Sequence, residues 1–265
     1  MYISGRLTNI FKVILITVII VFVMIIVLAE IDRNRPRKEL CPPSMYYGNG
    51  GWITAPFNLA ISNSVIRKTD NDPFLSMEAN FPRHNELKRQ WKRIRDEVLK
   101  IYSEGLMSEI RGDLFFQKIA DKKWKKFYIK WYGPSLKEAK EKLPFTTNLI
   151  DSFPEIKLAM ISVLEPGSII PPHIGPSRAS LRYHLGLVTP KDKENCWIKV
   201  DGEKYSWKDG EDVLFDDTYV HEVQNNTKGL RVILFCDIQR SLNNPVSNKI
   251  CEFVCHVAGV TSREN

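Results

Sequence analysis

The chain has 265 residues, 43% hydrophobic and 26% charged, enough for one large domain or two small ones. Those proportions exclude a disordered, collagen-like or low-complexity protein. With 38 basic and 31 acidic residues the formal charge is +7. So mild an excess suits an anionic surface or small anionic ligand and carries no signature of nucleic-acid binding. Five cysteines (Cys41, Cys196, Cys236, Cys251, Cys255) lack disulfide-framework spacing and read as reduced, cytosolic thiols.

From Val13 to Ala29 the chain is free of charge, VILITVIIVFVMIIVLA, with Ile10 and Phe11 extending the run around Lys12. At about 1.5 Å per residue this makes roughly 30 Å of helix, the thickness of a bilayer core, and predicts a single membrane anchor over 10–31. A cleaved secretory signal competes, with Val27-Leu28-Ala29 as its site, but the run exceeds the usual signal core of about 7–15 residues. Arg6 and Lys12 precede the segment, whereas Arg33, Arg35, Arg37 and Lys38 follow it. The positive-inside bias therefore predicts a single-pass membrane protein with its carboxy-terminal domain in the cytoplasm and the short amino terminus outside. The sequon Asn225-Asn226-Thr227 argues the other way.

Residues 32–57, rich in Pro, Gly and mixed charge, read as a linker or loop-rich lead-in. A domain is expected over 58–240. Leu87, Trp91, Ile94, Val98 and Ile101 recur at helical spacing, predicting a helix from His84 to Tyr102 with Asn85 as N-cap, Gly105 as stop and His84 exposed. Its basic face reads as solvated, with anionic headgroups as the minority reading. Beyond Lys123 the period becomes two. Strands are predicted over Lys126–Tyr132, Lys157–Leu164, Ser180–Val188, Cys196–Val200, Lys204–Trp207, Asp212–Phe215, Tyr219–Val223 and Leu230–Ile238. Asp201-Gly202 marks a two-residue hairpin. Eight short strands suggest an antiparallel sandwich or jelly-roll barrel with its core about 125–240 and flanking helices. Residues 241–265 read as a tail, and Cys251-x-x-x-Cys255-His256 as a thiol pair with too few ligands for structural zinc.

Three of the five histidines fall among the strands. In Ser180–Val188, alternation puts Arg182, His184 and Gly186 on one face and Leu181, Tyr183, Leu185 and Leu187 on the other. An inward Arg and His in an apolar barrel need an anionic partner, either a ligand carboxylate or a structural acid such as Asp216, Asp217 or Glu222. FDDTYVHEV places His221 with Tyr219 and Val223. LRVILFCDI places Arg231 with Ile233 and Phe235, a second cation entering an apolar strand. Each residue alone has a structural explanation; the combination points to a site.

The stretches PHIGPSRASLRYHLGLV, FDDTYVHEV and RVILFCDI resemble the aspartyl/asparaginyl β-hydroxylase family of iron(II)- and 2-oxoglutarate-dependent dioxygenases. The resemblance implies a double-stranded β-helix, cupin-like, with His173 and His221 binding Fe(II). It implies Arg231 on the distal carboxylate of 2-oxoglutarate with Ser162 as hydrogen-bond donor, and Arg182 and His184 at the carboxylate nearer the metal. His173-Ile174-Gly175 lacks the acidic residue of the common facial triad. In the family a glycine occupies that place and water completes the shell, with Asp217 as an alternative ligand. The order of anchor, APFNLAISNSV, FPRHNELKRQWKRIRDE, KKFYIKWYG and VDGEKYSWKDGEDV is similar to the bacterial lipid A hydroxylases. That implies hydroxylation of a lipid acyl chain at the membrane, with O2 as co-substrate and succinate and CO2 released. Phe127, Tyr128, Trp131 and Tyr132 could line a lipid entrance or pack the core. Two other readings stand: a peptidyl Asp/Asn β-hydroxylase, and an inactive membrane-tethered binding domain.

Overall fold

The computed structural model describes residues 2–64, 72–109 and 123–259, of which residues 2–10 are described as backbone alone. The side chains of Arg6 and Ile10, used above, lie outside that description. The apolar run forms one long helix, α1 (Tyr2–Arg33), of which Phe11–Arg33 is long and apolar enough to cross a membrane.

Residues 32–57 form part of the folded body instead of a free linker. They hold helix α2 (Pro43–Gly48), started by prolines, and the beginning of α3 (Gly51–Asn63). Asp32 is buried and accepts hydrogen bonds from Tyr46 Oη at 2.8 Å and Asn58 Nδ2 at 3.2 Å. The Arg35 guanidinium lies 4.9 Å from the Tyr219 ring centroid, and the Lys38 and Glu39 amides donate to the Asp201 carboxylate at 3.0 and 2.9 Å. The segment after α1 is thus strapped to the barrel through groups that local composition does not reveal.

Four short helices follow: α4 (Met77–Asn80), α5 (His84–Lys88), α6 (Trp91–Ser103) and, after strands β1 (Ser108–Glu109) and β2 (Trp124–Trp131), α7 (Lys137–Lys142). The helix expected over 84–102 is interrupted at Arg89 and Gln90. The Gln90 amide donates to Leu87 O at 3.1 Å, a three-residue bond that tightens the turn and restarts the helix. Gly105, at φ +72°, follows the end of α6. His84 is buried, not exposed: its Nδ1 lies 2.8 Å from Asp212 Oδ2, a partner 128 positions away.

After α8 (Pro144–Asp151) come eight strands, β3 (Ile156–Leu164), β4 (Ser168–His173), β5 (Ser180–Val188), β6 (Cys196–Val200), β7 (Glu203–Tyr205), β8 (Asp212–Phe215), β9 (His221–Asn225) and β10 (Arg231–Gln239). One sheet runs β1-β2-β3-β10-β5-β8 and the other β4-β9-β6-β7, and every pairing is antiparallel. Among β3–β10 the order within each sheet is that of a double-stranded β-helix, the jelly roll expected from the sequence. The β6–β7 turn has Asp201 at φ +48° and Gly202 at φ +84°, the two positive values a type I′ turn requires. Strand β4 escapes the pattern search because Pro171 and Pro172 sit in it. Prolines are tolerated there because β4 is the edge of its sheet.

Alternation sorts the core into two layers. Leu181, Tyr183, Leu185, Val232 and Leu234 face outward from the larger sheet, where Ile94, Val98 and Ile150 of the helices cover them. Met160, Ile198, Val223, Ile233 and Phe235 face inward and fill the barrel. The segment read as a tail ends in α9 (Pro245–Ala258), capped by Asn244, whose side chain accepts from Val246 N at 2.9 Å. Cys251 and Cys255 are buried there beside Ile61 and Ala179, and all five cysteines are free.

Candidate active site

The barrel encloses a cavity of about 490 Å³ that opens between α3 and α9. His173, His221, His184, Arg182, Arg231 and Ser162 all line it. They come from five strands, and the register explains how they meet. His173 ends β4 and faces His221, which begins β9; Ser162 on β3 faces Ile233 of β10, one alternation from Arg231.

The two imidazoles stand with ring centroids 4.0 Å apart. His173 Nδ1 lies 2.8 Å from Pro171 O and His221 Nδ1 2.9 Å from Tyr219 O. With Nδ1–H donating to a carbonyl, each Nε2 carries the lone pair, the tautomer a metal ligand needs. Burial pushes His221 down to about 4 and His173 well below its ordinary value, and the neighbouring imidazole adds to the effect on His173. Both are therefore neutral at physiological pH. Among the described residues, no cluster of three or more His, Cys, Asp or Glu is placed to hold a metal ion. Gly175 has no side chain for a reason of space: a Cβ there would lie 2.3 Å from Asp217 Oδ2. The Asp217 carboxylate occupies the room that an acidic residue at 175 would need.

Arg231 is buried at the depth of the barrel, with Nη2 3.2 Å from Ser162 Oγ and the guanidinium 4.9 Å from the Trp207 ring centroid. Ser162 Oγ in turn accepts from Trp124 Nε1 at 2.9 Å. Among the described residues no carboxylate lies within ion-pair distance of Arg231, its Nε has no partner, and burial pushes its pKa down to about 10. A buried cation left this way is a ready site for one carboxylate. His184 is similar: neither ring nitrogen has a hydrogen-bond partner, and the ring stacks on Phe235 at 5.0 Å. Burial, then Arg231 and Arg182, lower its pKa well below the usual value, so it too is neutral.

Arg182 differs. Its Nη2 pairs with Asp217, its Nε lies 3.1 Å from Asp237 Oδ1, and Nη1 alone is without a partner. The structural acid weighed from sequence, Asp217, is thus joined by Asp237. Asp237 belongs to the same alternating face as Arg231, Ile233 and Phe235 and lies directly across from Arg182 in the sheet. Extending that alternation by two residues would have found it. Tyr132 Oη donates to Asp237 at 2.5 Å and closes the network. The remaining acids serve elsewhere: Asp216 binds Arg178 and Arg240 at 3.1 and 2.7 Å, and Glu222 pairs with Lys199 at 2.7 Å. Of the four aromatics weighed from sequence, Trp131 and Tyr132 line the cavity while Phe127 and Tyr128 are core; the Trp124 and Trp207 contributions, and the α3–α9 mouth, carry no local sequence signal.

A double-stranded β-helix with two neutral imidazoles towards its open end and an uncompensated guanidinium at its depth defines a jelly-roll protein built around one imidazole-lined, anion-ready cavity. Residues 88–241 match the Aspartyl/Asparaginyl beta-hydroxylase family, and the chain belongs to it. It is 33% identical over 191 residues to the ornithine lipid ester-linked acyl 2-hydroxylase of Rhizobium tropici, covering 69% of this chain and 66% of that protein. It is 33% identical over 157 residues to human aspartyl/asparaginyl beta-hydroxylase, covering 57% of this chain and 20% of that one. Human aspartate beta-hydroxylase domain-containing protein 2 is 29% identical over 175 residues, covering 63% and 47%. The shared segment therefore spans less than two thirds of each relative's own length.

Proposed function

We propose that this protein is a membrane-anchored, Fe(II)- and 2-oxoglutarate-dependent hydroxylase acting on an acyl chain of a membrane lipid of the lipid A type. The observation that carries the reading is Arg231, a buried guanidinium without a carboxylate, in the same cavity as two imidazoles held in the ligand tautomer. When bound, the metal and 2-oxoglutarate supply oxidation of an unactivated C–H bond by O2, with release of succinate and CO2. His173 and His221 hold the iron through Nε2, each oriented by its Nδ1 hydrogen bond. Arg231 takes the distal carboxylate, steered by Ser162, whose hydroxyl is fixed by Trp124. Arg182 offers its one unpartnered nitrogen, and His184 an unpartnered ring, to the carboxylate nearer the metal. Because Asp217 and Asp237 already balance Arg182, its share is hydrogen bonding more than charge. Ile198, Val223 and Phe235 wall the space and exclude water.

A lipid substrate is supported by the apolar lining that α3 and α9 give the cavity mouth, Ile53, Phe57, Phe253 and Val257. A peptide backbone there would bury N–H and C=O groups against apolar side chains. The basic residues after the span support a cytoplasmic domain. So does Asn225, whose sequon is a poor glycan acceptor: it is buried, with Nδ2 donating to Leu164 O at 3.0 Å and Gly229 O at 2.9 Å. The test is mass spectrometry of lipids from cells making the chain under 18O2. The reading expects an acyl species carrying one labelled oxygen, absent with His221→Ala. Label-free lipids from the parent would overturn it.

A further inference from the structure

The height of the domain relative to the bilayer can be read from α1. Its charge-free run ends at Ala29, yet α1 packs on α3 before that point: Ile25, Ile26 and Leu28 become half-buried and Ala29 fully buried, with Ala55 of α3 in the same cluster. Ile25–Ala29 amounts to about 7 Å of helix. If the run lies in hydrocarbon, α3 lies beside it by about that depth. The contact is rigid, because Asp32 is bonded to Tyr46 and to Asn58 of α3.

The face that α3 shares with α9 is apolar and open. Ile53 is 59% exposed, Phe253 54% and Val257 50%, and Phe57 meets Phe253 with ring centroids 5.8 Å apart. On α9, Val246, Phe253 and Val257 are spaced seven and four apart and form one exposed stripe. Below the stripe, Cys251 and Cys255 fasten α9 to Ile61 of α3, and Trp131 Nε1 donates to Ala258 O at 3.2 Å. These four lip residues, Ile53, Phe57, Phe253 and Val257, are also the rim of the cavity. Of the polar groups lining the cavity there, Asn49 donates to Ile174 O at 3.1 Å and Thr54 to Pro176 O, while Lys249, Glu252 and His256 stand exposed on α9 beside the stripe, where long or terminal polar groups reach the headgroup level. An apolar rim around a cavity whose charge lies at its depth, held at the height of a membrane span, has one matching occupant.

We propose that the α3–α9 lip is a membrane-inserted surface that opens the cavity directly onto the acyl region of the bilayer, so that a lipid chain reaches the two imidazoles without crossing water. The substrate part rests on the lipid-hydroxylase reading above; the surface itself does not, and it is tested without turnover. The full chain is reconstituted in phosphatidylethanolamine/phosphatidylglycerol vesicles with single nitroxide labels at Ile53→Cys, Phe253→Cys or Val257→Cys. An exposed position on α6, Asp96→Cys, is the control. The five native thiols are buried and leave the introduced cysteine as the reactive one. Power saturation is compared for oxygen, which partitions into lipid, and a neutral nickel chelate, which stays in water. The expected result is oxygen-dominated relaxation at 53, 253 and 257 and nickel-dominated relaxation at 96. Nickel-dominated relaxation at the lip overturns the proposal, as does shielding from both reagents, which would mean a protein cover such as a second copy. Failure of the hydroxylase reading alone would leave this depth pattern intact and appear only as absent lipid oxidation.

Discussion

Replacing Arg231 by methionine should leave the ligand-free protein as stable as the parent or more so, while abolishing its response to 2-oxoglutarate. Burial pushes the guanidinium down from 12.5 to about 10, a penalty on the order of 3 kcal/mol. Because the folded value lies below the unfolded one, the penalty is complete at neutral pH and is relieved only above about pH 10. Methionine removes that cost and fills similar length. Against this stand the Nη2–Ser162 hydrogen bond, worth about 1 kcal/mol, and the contact over Trp207, worth about 1–2 kcal/mol. Ser162 is not orphaned, since Trp124 still donates to it. The balance is between zero and about 1 kcal/mol in favour of the variant, or a Tm unchanged to a few degrees higher. Thermal unfolding of the full chain in detergent measures it. The parent should gain about 3 kcal/mol from ligand at a hundred times Kd, and the variant none. A variant that loses many degrees, or one still stabilised by 2-oxoglutarate, would refute the reasoning.

Deleting residues 1–24 should preserve the folded domain, whereas deleting 1–40 should lower its Tm by about 10 °C or leave it insoluble. The longer deletion removes buried Asp32 from Tyr46 and Asn58 and frees the 216–221 loop from Arg35; equal unfolding temperatures would contradict the strap. Gly175→Ala must drive Asp217 from Arg182, since the new Cβ would lie 2.3 Å from the carboxylate. Breaking that buried pair costs about 3–5 kcal/mol by denaturant titration, and a loss under 1 kcal/mol would mean the carboxylate moves freely. Burial raises Cys251 to about 11 and Cys255 to about 12. Acids with raised folded values stabilise fully below their unfolded pKa near 9 and lose that contribution as pH rises. Between pH 9 and 11, stability should therefore fall by up to about 1.4 kcal/mol per pH unit for each thiol, and Cys255→Ala should flatten the slope.

The jelly roll was legible because its signal is local. Leu181, Tyr183, Leu185 and Leu187 alternate with Arg182 and His184, and that alternation alone assigns faces whatever the partner strand. Arg231 stood out because a cation at an inward position of an apolar strand is costly wherever that strand lies. What escaped depends on distant chain. His84 has an unremarkable neighbourhood and is buried by Asp212. Asp237 could have been placed by continuing the alternation, but its pairing with Arg182 required the β5–β10 register. Residues 32–57 look like a linker because Pro and Gly start and end helices as readily as they break them; their burial comes from α1 and from the 216–221 loop. Strand β4 was hidden by its own prolines, although it carries His173.

The central claim is that the imidazole pair and Arg231 together hold iron and 2-oxoglutarate. The direct measurement is anaerobic titration of the full chain in detergent with Fe(II) and 2-oxoglutarate, reading the visible metal-to-ligand charge-transfer band. The account predicts a saturable band in the parent, lost in His221→Ala and shifted to much higher 2-oxoglutarate concentration in Arg231→Met. A parent without a band at saturating iron, or a His221→Ala variant that keeps it, would contradict the account.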